Sequence, residues 1–260
     1  MTKSGFWKMP STLAALGLAL ALVLTACGGD DNGGGGGGSG FLGATLNLSG
    51  NVYTIDDDAF TPPRFTGNRT VVSRPPGGTG EITEGQLSFT FGRPATEYLE
   101  SIGDFLEVDW GGSVTPANAM GTRLRLRTAT GTTENGSLWR VYGTRTATFS
   151  RGEEVDFIFV DRDVTMRGER ITGSWNNNDY SGTYEYRAFN ITLREGWNAL
   201  RWVWEERVTA PNTFSETMTL SHANPGSPVR WELDDWSRAR NSGEPEPLGR
   251  TLPGRNGIRR

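Results

Sequence analysis

Beyond residue 40, apolar and polar positions alternate with a period of two along most of this chain. The clearest run spans 155–204. Val155, Phe157 and Phe159 alternate with Asp156 and Ile158, and Val164 and Met166 with Thr165 and Arg167. Phe189, Ile191 and Leu193 alternate with Asn190, Thr192 and Arg194, and Leu200, Trp202 and Trp204 share one face of a further strand. Successive strand side chains point to opposite faces, so this period predicts antiparallel strands with one face on a core.

The same pattern recurs on both sides of that run. Leu46, Leu48 and Val52 predict a strand interrupted at Gly50, and Val71-Val72 and Leu87–Phe91 predict two more. Leu124 and Leu126 alternate with Arg123, Arg125 and Arg127, a half-exposed strand with an arginine face. Phe214, Met218 and Leu220 can share a face, and Val229, Trp231 and Leu233 alternate in a last strand. Tyr98, Leu99 and Ile102 follow Pro94 at helical spacing. The fold expected is therefore all-β, an antiparallel β-sandwich or jelly roll with at most one short helix near 95–105. No clean linker interrupts 41–236, so one continuous domain is preferred, with a candidate subdivision near 150. No fixed-period repeat points to a solenoid or propeller.

Residues 1–26 carry a different pattern. Lys3 and Lys8 precede an apolar run from Leu13 to Thr25, the size of a signal-peptide core and short for a membrane span. The run ends in Leu24-Thr25-Ala26-Cys27, which resembles the lipobox of bacterial lipoproteins. That resemblance implies cleavage before Cys27 and its acylation. At about 0.8 kcal/mol per buried CH₂, two or three acyl chains would hold the protein on a membrane. Gly at position 28, rather than Asp, favours the outer membrane by analogy with lipoprotein sorting. Residues 27–40 then read as the lipidated Cys and a Gly-rich tether with a reach of roughly 20 Å. From 237 onward the pattern is lost, and six Arg against two Glu describe a disordered tail.

Composition narrows the partners. Both lysines lie in the signal, so 24 Arg face 30 Asp and Glu in the remainder, a formal charge of −6. An acidic chain with no basic cluster in its folded part argues against nucleic acid. Cys27 is the single cysteine, so no disulfide can staple the domain.

A second resemblance lies in the central stretch. Phe159-Val-Asp161-Arg-Asp163-Val164-Thr-Met166-Arg-Gly168, followed by Asn190-Ile-Thr-Leu193-Arg-Glu-Gly196-Trp197-Asn198, resembles a strand-and-hairpin pattern of exported bacterial lipoproteins of unknown function. Met166 stands where an aliphatic β-branched residue is more usual. The resemblance implies an envelope address and β architecture, and brings no catalytic residues.

Three constellations bear on chemistry. Asp161 and Asp163, at i and i+2, would point to one face of a strand, and Asp56–Asp58 could add oxygens. The ligand loop that calcium requires is absent, however, so no metal is assigned. Trp175-Asn176-Asn177-Asn178-Asp179-Tyr180 reads as an exposed loop with a flat apolar ring beside amides, the groups a sugar needs. Its ligand-binding candidates are Trp175, Asn176, Asn177, Asn178 and Tyr180. For catalysis there is a single histidine, His222, and no nucleophile-elbow motif. Two carboxylates could serve a glycoside-active enzyme, and Glu153, Glu154, Glu205 and Glu206 are available, but nothing separates them from solvated surface charge. The sequence thus predicts a lipid-anchored envelope protein with a binding or structural role, without enzymatic activity or cofactor. Its partners would be the membrane and a glycan or envelope protein.

Overall fold

The computed structural model describes residues 40–55, 62–105, 112–146, 148–176, 181–223 and 230–235. The segment expected to be a signal, Cys27, most of the expected tether, Asp56–Asp58, Val229 and the residues from 236 onward lie outside them. The first strands are β1 (Phe41–Gly43), β2 (Leu46–Thr54), β3 (Arg69–Arg74), β4 (Thr79–Thr83), β5 (Gln86–Phe91), β6 (Glu100–Ser101), β7 (Ser113–Thr115), β8 (Met120–Arg123) and β9 (Arg125–Thr130). There follow β10 (Thr133–Arg145), β11 (Phe149–Val160), β12 (Val164–Gly168), β13 (Ile171–Asn176), β14 (Ser181–Tyr186), β15 (Phe189–Leu193), β16 (Gly196–Ala210), β17 (Thr213–His222) and β18 (Arg230–Asp235). The fold is all-β. The helix expected near 95–105 is reduced to a 3-10 turn at Thr96–Tyr98 and one α-helical turn at Ile102–Phe105.

Seven strands close on themselves in the order β10-β18-β2-β5-β4-β3-β9 and back to β10. From β10 the sheet continues outward as a wing, β11-β16-β17-β14-β13, and a separate three-stranded sheet, β15-β12-β7, completes the fold. Pairings are antiparallel except β18 with β2 and β14 with β17. The ring encloses the larger core, where Leu46, Val52, Ile82, Leu87, Phe89 and Leu233 are each at most 2% exposed. β2 does not break at Gly50. It runs through this residue at φ +144°, and the Trp231 side chain lies 3.2 Å from where a Cβ would be.

The three-stranded sheet packs Val164, Met166, Ile191 and Leu193 onto Ile158, Val160, Leu200 and Leu220, forming a second core. β11 thus lies between two cores: Val155, Phe157 and Phe159 face the first, Ile158 and Val160 the second. Every residue from Gly152 to Val160 is buried. The one-sided strand predicted from alternation is two-sided here, because a second sheet covers the face that a lone sheet leaves to water.

The Gly196-Trp197-Asn198 motif has a structural role in each of its residues. Trp197 is fully buried, meets Phe91 and Phe159 at ring-centroid distances of 5.3 and 5.6 Å, and donates from Nε1 to Gly92 O at 2.9 Å. Asn198 closes the turn before β16: Nδ2 donates to Arg194 O (2.8 Å) and Gly196 O (3.0 Å), and Oδ1 accepts from Arg194 N (3.1 Å). Gly196 sits at φ +114° with Gly43 O 2.7 Å from an imagined Cβ, so a side chain is excluded twice over. Trp197→Ala should therefore cost about 3–5 kcal/mol, read as a lower urea midpoint at unchanged slope.

Candidate ligand-binding face

Cross-strand register sorts the wing's side chains into rows on one face. The outermost row is Trp175 (β13), Gly182 (β14), Phe214 (β17) and Val208 (β16). The next is Gly173, Tyr184, Glu216 and Glu206, and the third is Ile171, Tyr186, Met218, Trp204 and Gly152. Trp202 and Leu220 come after that, where the second core begins. Apart from buried Tyr186, Gly152 and Gly182 and exposed Val208, the residues of the three outer rows are half-buried or, for Glu206 and Glu216, partly accessible.

Three of these rings lie over glycines. A Cβ on Gly182 would come within 2.7 Å of the Trp175 ring, one on Gly173 within 2.3 Å of Tyr184, and one on Gly152 within 2.1 Å of Trp204. With no side chain beneath, each ring lies over its glycine, a pairing that also repairs the weak strand propensity of glycine. Trp175 stacks beside Phe214 at 6.4 Å and 12°, and Tyr184 meets Tyr186 at 5.3 Å. Glu206 and Glu216 are direct cross-strand partners between the aromatic rows. Burial, and then the charge of Glu206, push the Glu216 carboxyl up to about 7. Burial, then Glu216 and Tyr184, push the Tyr186 hydroxyl up to about 12.

The other carboxylates of the wing are committed to structure. Glu153 and Glu154, expected as surface charge, are 2% and 5% exposed. Glu153 Oε1 accepts from Arg151 at 2.8 Å and its Oε2 from Arg201 at 2.9 Å. Burial raises this carboxyl, but the two guanidinium groups outweigh it and hold it below the usual carboxylate range. On the opposite face, Arg123 Nη2 lies 2.9 Å from Glu154 and 2.6 Å from Asp156, whose Oδ2 also accepts from Trp202 Nε1 at 2.8 Å. Glu205 pairs with Arg151 at 2.9 Å. Three strands thus divide these acids: those of β11 and Glu205 of β16 pair with arginines, and Glu206 of β16 and Glu216 of β17 stand in the aromatic rows.

The predicted site residues fall in different places. Trp175 is not in a loop; it belongs to β13, paired with Gly182, and is half-buried. A strand forms there because Ile171, Gly173 and Trp175 alternate with Thr172, Ser174 and Asn176 on a neighbour, β14, that supplies the hydrogen bonds. Asn176 is exposed at the end of β13, while Asn177, Asn178 and Tyr180 lie outside the described residues. Asp161 and Asp163 do not share a strand face, since both lie in the turn between β11 and β12. Asp161 accepts from Met120 N (3.0 Å) and pairs with Arg162 (2.8 Å), and Asp163 accepts from Glu195 N (2.8 Å). Among the described residues, no three His, Cys, Asp or Glu side chains gather as a metal site would require. His222 Nε2 contacts Thr192 O at 2.9 Å.

Sequence reasoning missed Tyr184, Trp204, Glu206 and Glu216 as one surface. The parity of Phe214, Glu216 and Met218 carried the signal within β17, but the parallel pairing of β14 with β17 was needed to join it to Trp175. No protein-family model, no curated protein and no solved structure matches this chain.

Glu216 binds its proton more tightly when folded, at about 7 against 4.5 for the unfolded carboxyl. Its contribution to stability is complete below the unfolded value and is lost as pH rises through about 7. Glu216→Gln should accordingly raise Tm above the wild type at about pH 8 and leave it unchanged near pH 4. Thermal melts of both proteins across that range check this.

Proposed function

We propose that this chain is a lipid-anchored cell-envelope protein whose role is binding rather than catalysis. Its ligand would be a glycan stacked on Trp175, Phe214, Tyr184 and Trp204. The observation that carries this reading is the laying of three rings over Gly182, Gly173 and Gly152. A flat ring held against the backbone loses little entropy on binding and offers an apolar face to the C–H face of a sugar. Glu206 and Glu216 between the rows supply the polar half. Near neutral pH the raised carboxyl of Glu216 can donate as well as accept, which suits hydroxyl groups.

The envelope address is supported by the signal-like run, the lipobox-like Leu24-Thr25-Ala26-Cys27 and Gly28, together with the resemblance to exported lipoproteins. A glycosidase reading has one observation in its favour, a raised carboxyl beside a second one. A purely structural envelope role predicts that the aromatic face takes no sugar.

Fluorescence titration of the protein against glycans and peptidoglycan fragments separates the three. Binding predicts a saturable tryptophan shift that Trp175→Ala weakens by about tenfold or more, with no product formed. Turnover lost in Glu216→Gln would instead establish an enzyme, and no shift across the panel would leave the structural role. For the address, Cys27→Ser should move the protein from the detergent phase to the aqueous phase on extraction. Continued partition with detergent would exclude the lipid anchor.

A further inference from the structure

The wing ends in an edge. Among the described residues, β13 is the longest strand with a partner on one side only. The others are shorter or occupied. β6 has two residues, β1 and β7 have three, and on five-residue β15 the carbonyl of Thr192 is met by His222 Nε2. An unpaired edge is a template for another strand, and proteins blunt it with charge, proline, a bulge or brevity. β13, Ile171-Thr-Gly-Ser-Trp-Asn176, runs for six residues in unbroken register, with no charged residue and no proline. Arg170, just before it, is paired with Glu185 at 3.1 Å.

The neighbouring strand shows which backbone groups face outward. Ser181 and Arg187, at the two ends of β14, direct their N–H groups to the β17 side, donating to Asn212 O and Met218 O at 3.0 Å. Backbone groups alternate along a strand, so Gly182, Tyr184 and Tyr186 turn theirs to β13. Trp175, Gly173 and Ile171 stand opposite and are the residues that answer them. The N–H and C=O groups of Thr172, Ser174 and Asn176 therefore point away from the sheet. These three residues are exposed, and their side chains lie on the face opposite the aromatic rows.

We propose that β13 is a homodimer edge, on which a second copy of this chain pairs antiparallel about a two-fold axis at Gly173. The occupant follows from self-complementarity. Thr172 of one copy exchanges both backbone hydrogen bonds with Ser174 of the other, and the axis repeats the exchange. Gly173 meets its own copy at a non-hydrogen-bonded position, where Cα atoms approach to about 4.5 Å. Ile171 lies opposite Trp175 of the other copy, a β-branched and aromatic pair of the stabilising kind. Arg170, the nearest charge, comes opposite Asn176 of the other copy, so no like charges meet. The interface is isologous and closes at two copies. Its axis is perpendicular to the sheet, so both aromatic faces lie on the same side and join into one surface. The pairing stands whatever that surface binds.

Sedimentation equilibrium of the full chain in density-matched detergent tests the assignment. A strand edge of this size should give a dimer with a Kd of about 10–100 μM. Ser174→Pro removes an N–H used only between copies, and should leave the circular dichroism unchanged while making the protein monomeric. Two double variants test the register. Thr172→Lys with Ser174→Lys sets Lys against Lys twice across the axis and should weaken the dimer by about fivefold or more. Thr172→Lys with Ser174→Glu sets Lys against Glu and should keep the wild-type affinity or improve on it. A monomer at about 0.5 mM, a dimer indifferent to Ser174→Pro, or the same affinity in both double variants would each overturn the proposal. If Ser174→Pro fails to fold, the two double variants decide it.

Discussion

A strand buried on both faces must satisfy every polar group it carries without help from water, and β11 carries three carboxylates. Their partners come from different strands: Arg123 from β8, Arg201 from β16 and Arg151 from β11 itself. Removing one partner of such a pair leaves a buried charge, at a cost of about 3–5 kcal/mol. The pairs therefore act as registry marks. A one-residue slip of β11 would turn Glu154 and Asp156 into the barrel core and Val155 and Phe157 out of it. Arg123 also ties β8 to β11.

The wing follows from the same strand. β16 pairs with β11 along its whole length, and beyond the cover of the three-stranded sheet it carries β17, β14 and β13 outward. Strands without a second layer need another way to shield their backbone, and here rings lying over glycines provide it. The result is a surface lined with aromatic rings and crossed by two carboxyl groups. Packing gives no reason for Glu206 and Glu216 to sit side by side in its middle, because like charges directly opposite each other destabilise a sheet. A local cost of that kind at a concentrated aromatic surface supports the proposed binding role.

The Asp-Arg-Asp and Gly-Trp-Asn motifs are accounted for without any ligand. Asp163 holds the turn that Asn198 closes, Asp161 ties β11 to the start of β8, and Trp197 fills the barrel core beside them. Such motifs mark an architecture, which is why they are legible as a pattern while saying nothing about activity. The residues on which the proposed binding rests are scattered over four strands.

The sequence by itself determined the strand content and most facing residues, because alternation is a local property of extended backbone. It showed Val155, Phe157 and Phe159 on one side, Ile191 and Leu193 together, and Phe214 with Met218. Only the tertiary structure decided what lay opposite. That Glu153 and Glu154 are buried depends on a second sheet and on arginines from β8 and β16, distant in sequence. That Trp175 is a strand residue depends on β14, and its joining to Glu216 depends on a parallel pairing with no hairpin to announce it. Local periodicity gives each strand its faces; pairing across long separations decides which faces meet, and the candidate sites exist only where they do.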